Sequence, residues 1–147
     1  MYYFLDVDGV LNKEQDWRKP FTVNESCLNC FKELISRDKD ANIILSSTWR
    51  TGLAVTGAMM DKDTPLNEYM KKWGLTIEGI TPITNKTRQD EIEYYIRRNG
   101  VTKYIILDDD RSLFPRETEL NIYFTNYKTG LTSYDVKQIL KMIKKMK

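Results

Sequence analysis

Residues 1–12, MYYFLDVDGVLN, decide the fold. Four of the first five are large and apolar, as suits a buried strand. That strand closes on Asp6 and Asp8, and Gly9 then permits a sharp backbone turn. Residues two apart in extended chain point to the same side. Two carboxylates therefore crowd one spot at a strand end, which is electrostatically costly and predicts a counter-charge at the same place.

Working outward, NIILSSTWR (42–50) reads as a short strand ending in hydroxyls. TKYIILDDDR (102–111) reads as a short strand ending in three aspartates, and LNIYFTN (120–126) as a weaker fourth. Helical patterns lie between them. NESCLNCFKELISR (24–37) carries Cys27, Leu28, Phe31, Leu34 and Ile35 in a three–four rhythm. TRQDEIEYYIRRNG (87–100) opens on Thr87 with Asp90 three residues on, a loose capping box, and stops at Gly100. SYDVKQILKMIKK (133–145) is the last. Strands alternating with helices imply right-handed crossovers, so the expected fold is a Rossmann-like, three-layer α/β/α domain with a mainly parallel sheet. Segment 51–83 is the least regular, with a helix around PLNEYMKKW (65–73) and a TPIT loop (81–84). Without repeats or linkers, one domain over 1–147 is the expectation.

The bulk composition is 41% hydrophobic and 30% charged with a net charge of +2, ordinary for a soluble globular chain and neutral as to nucleic acid. No stretch approaches the roughly 18 apolar residues of a membrane span. YYFL is too short for a signal-peptide core and runs straight into acidic residues, so a cytoplasmic location without membrane partners is expected. Cys27 and Cys30 form CLNC on one helix face; without histidine or further cysteine they cannot complete a four-ligand zinc site, and they read as small buried hydrophobes. The basic KMIKKMK reads as a solvated helix end. The lack of histidine leaves acid–base and metal chemistry to carboxylates, lysine, arginine and hydroxyls.

In parallel α/β sheets ligands bind beyond the carboxyl ends of the strands. Asp6 and Asp8, Ser46 to Thr48, and Asp108 to Asp110 all stand at such ends and converge if their strands are neighbours. A carboxylate cluster needs a cation, and hard oxygen ligands with room for water fit Mg²⁺, which usually serves phosphate chemistry.

In order, FLDVDGVLN, IILSSTW, NKTRQDEI and IILDDDR resemble the four motifs of the haloacid dehalogenase-like (HAD) superfamily. The resemblance spans nearly the whole chain. It implies that Asp6 is a nucleophile forming an aspartyl-phosphate and that Asp8 is the general acid and then base. It implies that Ser46, or Ser47 if the strand ends one residue later, binds a phosphoryl oxygen. Lys86 would neutralise charge on the phosphoryl group, with Arg88, two residues on, the alternative cation. A lysine just before a helix N-terminus runs against the helix dipole, and broken local rules often mark functional positions. Asp6, the Asp8 backbone carbonyl, Asp108 and Asp109 would hold Mg²⁺, with Asp110 replacing Asp109 if the register slips.

Residues 10–41 and 49–85 leave no room for a folded cap, so the site should be open to large phosphorylated substrates. STWR, a later TP, K-x-R-x-x-EI, ILDDD and a terminal GLT are similar to capless HAD domains grouped with RNA-repair proteins, and to the phosphatase half of polynucleotide kinase–phosphatases. No GxxxxGK[ST] is present, so no kinase half is expected. Trp49, Arg50 and Arg88 would then hold a nucleic-acid end by stacking and phosphate contacts. A small-molecule phosphatase such as a nucleotidase and a non-catalytic HAD-like binding module are the alternatives. A receiver-type signalling domain is disfavoured, because its acceptor aspartate would end the third strand, ahead of the hydroxyl and the lysine, whereas here the hydroxyl and the lysine precede the late acidic cluster.

Overall fold

The apolar opening run forms strand β1 (Tyr2–Leu5), and its alternation feeds two separate cores. Tyr3 and Leu5 join the larger core, whereas Phe4 turns to the other face with Ile44 and Ile106. A strand covered on both faces must be apolar at successive positions, as YYFL is. The computed structural model describes residues 1–19, 22–47, 71–84 and 86–146. Within them follow helix α1 (Glu25–Ser36), strands β2 (Asn42–Leu45) and β3 (Ile77–Ile80), helix α2 (Arg88–Asn99), strands β4 (Tyr104–Asp108) and β5 (Ile122–Phe124), and helix α3 (Ser133–Lys145). Three short 3₁₀ turns, Glu14–Arg18, Arg111–Leu113 and Glu117–Glu119, lie in the connections.

The five strands run in the order β3-β2-β1-β4-β5, all parallel. Leu28, Phe31 and Leu34 of α1 and Val136 and Ile139 of α3 pack on the face of Leu5. Ile92 of α2 packs with Phe4 on the other. This is the expected three-layer α/β/α arrangement, and no large cap is evident among the described residues. The strand order reverses at β1, which places a topological switch point between β1 and β4, where ligands of open α/β sheets bind.

Register sets the site. Leu5 pairs with both Leu45 and Leu107, so the next residues, Asp6, Ser46 and Asp108, stand level. The ladder continues past the strand ends through Asp6 N–H to Leu107 O (3.0 Å), Ser46 N–H to Leu5 O (3.0 Å) and Thr81 N–H to Leu45 O (3.1 Å).

The three helices match their sequence patterns within a residue. Thr87 and Asp90 complete the capping box on α2, and Gly100 ends it at φ 62°. Cys27 is buried and Cys30 half-buried in the α1 core, as small hydrophobes, and both thiols are free. One element differs from expectation: segment 51–83 contains β3. Its IEGI offers a charge and a glycine in place of an apolar run, and a bulge against β2 leaves Glu78 outside the pairing. A Cβ at Gly79 would sit 3.0 Å from the Tyr95 hydroxyl, a tight approach. Residues 81–84 are without regular structure, as read for TPIT. The helix expected at 65–73 falls largely outside the described residues.

Candidate active site

Asp6 follows β1 directly and is 4% exposed. Asp108, the last residue of β4, is fully buried beside it. Such a pair demands positive charge, and Arg88 supplies it as the first residue of α2. Its Nη1 lies 3.2 Å from Asp6 Oδ1 and 2.8 Å from Asp108 Oδ2. The other oxygen of Asp108 accepts the backbone N–H groups of Asp109 (2.8 Å) and Asp110 (3.0 Å). Asp108 is thus held on both sides, and the turn that follows it is wound around its carboxylate.

Burial pushes the Asp6 carboxyl well above the usual range, and Asp108 adds to this while Arg88 opposes it. Asp109 is also raised, chiefly by burial, with a hydrogen bond to Asp6 acting the other way. The two carboxyls thus share one hydrogen bond, and both are pushed upward chiefly by burial. Burial works against the charge of Arg88, but Asp6 and Asp108 outweigh it and hold the guanidinium protonated.

One oxygen each from Asp6, Asp108 and Asp109 lie within 4.8 Å of one another. Three clustered carboxylates with a single guanidinium against them are short of positive charge. They therefore fit a hard divalent cation such as Mg²⁺. Asp110 points to a different role: its Oδ1 accepts from Ser112 N–H at 3.0 Å and caps the 3₁₀ turn.

Gly9 stands at φ 85°, and a Cβ there would overlap the Asp109 carboxylate, so two needs meet at this residue. The Gly9 carbonyl accepts a 2.6 Å hydrogen bond from Thr125 Oγ1, which ties the turn after β1 to the end of β5. Asp8 is half-buried, and its Oδ1 accepts from Asn12 Nδ2 at 2.9 Å. Asn12, buried, also donates to Thr22 O (2.8 Å) and accepts from Gly9 N–H (3.0 Å) and Trp17 Nε1 (2.9 Å). Asn12 thereby fixes the carboxylate two residues beyond Asp6.

Ser46 and Ser47 are both buried at the end of β2, Ser46 level with Asp6. Lys86 is exposed, and its side chain makes no hydrogen bond or ion pair among the described residues. Trp49 and Arg50 lie outside the described residues. Sequence reasoning gave no role to Asn12, Thr125 or Thr81. Thr81 is buried one strand further along, and its hydroxyl finds no hydrogen-bond partner among the described residues.

A parallel sheet with carboxylates gathered at its central switch point is the architecture of a HAD-like domain. The sequence matches the family of HAD domains in Swiss Army Knife RNA repair proteins over residues 2–136, and the chain belongs to that family. Comparison with curated proteins and with solved structures finds no match. Among the described residues no helix is long and apolar enough to cross a membrane.

Proposed function

We propose that this chain is a single-domain, cytoplasmic, Mg²⁺-dependent phosphomonoesterase that works through an aspartyl-phosphate on Asp6 and acts on phosphorylated nucleic-acid ends. The observation that carries the reading is Asp6, buried against Asp108, Asp109 and Arg88, with a second, separately held carboxylate on Asp8 in the same turn.

In the first step an Asp6 oxygen attacks phosphorus, the bond to the leaving oxygen breaks, and Asp8 gives that oxygen its proton. In the second, Asp8 takes a proton from the water that attacks the phosphorus, and Asp6 leaves as the free carboxylate. Asn12 keeps Asp8 aimed through both steps. Arg88 is the cation already in place to neutralise phosphoryl oxygens, a role the position of Lys86 does not favour. Ser46, with Ser47 beside it, donates to a phosphoryl oxygen. Asp6, the Asp8 backbone carbonyl, Asp108 and Asp109 would hold Mg²⁺, which when bound supplies the positive charge that lets these carboxylates and a phosphoryl group coexist. The nucleic-acid end as substrate draws on the family, whose members are HAD domains of RNA repair proteins.

The test is phosphate release from 3′- and 5′-phosphorylated oligonucleotides and from nucleoside monophosphates, with and without Mg²⁺. Release from oligonucleotide ends is expected, abolished by EDTA, restored by Mg²⁺ and absent in Asp6→Asn. Release from the monophosphates alone would convert the reading to a nucleotidase. Equal traces from wild type and Asp6→Asn on every substrate would overturn catalysis.

A further inference from the structure

Two aromatic rings beside the site take no part in the chemistry above. Trp17 and Tyr127 stack with centroids 6.1 Å apart and planes 29° from parallel, yet they remain 43% and 40% exposed. Tyr94 and Tyr134 are exposed too, but Trp17 and Tyr127 are exposed as a stacked pair.

Their positions are tied to the reacting groups. Trp17 Nε1 donates to Asn12 Oδ1, and the same asparagine holds Asp8. Tyr127 follows Thr125, which binds the Gly9 carbonyl, and the Tyr127 carbonyl accepts from Glu14 N–H at 2.9 Å. A cleft of about 480 Å³, lined by Asp109, Asp110, Arg111, Phe124, Thr125 and Tyr127, runs from the carboxylate cluster to the tyrosine ring. Cations flank it: the Arg111 guanidinium lies 4.3 Å from the Phe124 centroid, and Lys128 Nζ 6.0 Å from that of Tyr127.

We propose that the Trp17–Tyr127 pair is a stacking platform for the nucleobase of the nucleotide that carries the scissile phosphate. The inference rests on the phosphatase reading and deepens it. The cleft gives the leaving side of the substrate a path from Asp109 to the Tyr127 ring, against which Trp17 stacks. A flat aromatic pair accepts any base by its face, and Lys128 beside Tyr127 suits a neighbouring backbone phosphate, whereas Arg111 is already paired with Glu117 at 2.7 Å. Base stacking on protein aromatics is worth on the order of 1–3 kcal/mol, or roughly 5- to 150-fold in affinity.

The experiment compares kcat/KM for a phosphorylated oligonucleotide, the same strand with an abasic terminal residue, a nucleoside monophosphate and β-glycerophosphate. Wild type should prefer the base-bearing end over the abasic end by about 5- to 150-fold, mostly in KM. Tyr127→Leu, which keeps bulk but loses the flat face, should collapse that ratio, and Tyr127→Phe should keep it. Trp17→Leu is less clean because it also removes a donor to Asn12. A preference shared by the monophosphate identifies a free nucleotide as the source of the base, and one confined to the oligonucleotide identifies a polynucleotide end. No discrimination against the abasic end, or an unchanged ratio in Tyr127→Leu, overturns the platform. A second arm separates the two readings: in Asp6→Asn, an unphosphorylated oligonucleotide should quench the tryptophan emission that Trp17→Phe removes. Quenching without phosphate release from any substrate would leave the platform standing and remove the phosphatase.

Discussion

Asp6, Asp8, Asp108 and Asp109 were readable from the sequence because each stands at the end of an apolar run, where a carboxylate has no packing role. Asn12 and Thr125 were not, because their work is done through hydrogen bonds, in the case of Thr125 to a carbonyl 116 residues away. Of Lys86 and Arg88, Arg88 reaches the carboxylates, which favours it as the proposed phosphoryl-neutralising cation. Arg88→Ala should cut kcat by roughly 10²–10³, whereas Lys86→Ala should change it less than about threefold. Steady-state kinetics check this, and the reverse ranking would return the role to Lys86. Asp8→Asn should cost about 10²–10⁴ in kcat with the fold intact. Gly9→Ala should lose about 1–2 kcal/mol from the positive φ alone, with a further loss from overlap with Asp109, readable as a lower urea midpoint.

The elements were legible where periodicity and end signals agreed. Helices α1, α2 and α3 carry apolar faces bounded by Asn24, Thr87 and Thr132, each accepting a hydrogen bond from the first turn. Strand β3 was hidden because Glu78 and Gly79 break its apolar run, and its place depends on β2 and on the Tyr95 hydroxyl rather than on its own composition. The cap on α2 does more than end a helix, because Arg88 is the residue immediately after Thr87. Thr87→Ala should therefore cost about 1 kcal/mol of stability, with Tm lower by about 3 °C. It should also lower kcat, as the guanidinium loses its fixed starting point. The matching Thr132→Ala on α3 should destabilise by a similar amount and leave kcat alone. Thermal melts run beside turnover assays separate the two.

Across the whole molecule, a buried phenol, Tyr3, and a half-buried one, Tyr123, set an alkaline limit. Tyr3 donates to Asp38 Oδ2 at 3.1 Å, and Tyr123 donates to Asp135 Oδ1. Burial first, then the carboxylate, raises both phenols above their ordinary pKa of about 10. Each raised group stabilises the fold fully below pH about 10, and that contribution is lost as pH climbs toward the folded-state values. Urea midpoints should thus fall above pH about 10, and the Tyr3→Phe, Tyr123→Phe double variant should show a shallower fall. The sequence announced the strand order only as alternation; the reversal at β1 that brings Asp6 level with Asp108 is a property of the assembled sheet. The Arg88 bridge at that point has a consequence for turnover. The guanidinium already has two carboxylate partners, so on the proposed mechanism an arriving phosphate would enter by exchange rather than by filling a vacancy. On the proposed mechanism, Asp6 and Asp108 would reclaim Arg88 as inorganic phosphate departs, so the same ion pairs that meet the substrate would also favour release of the product.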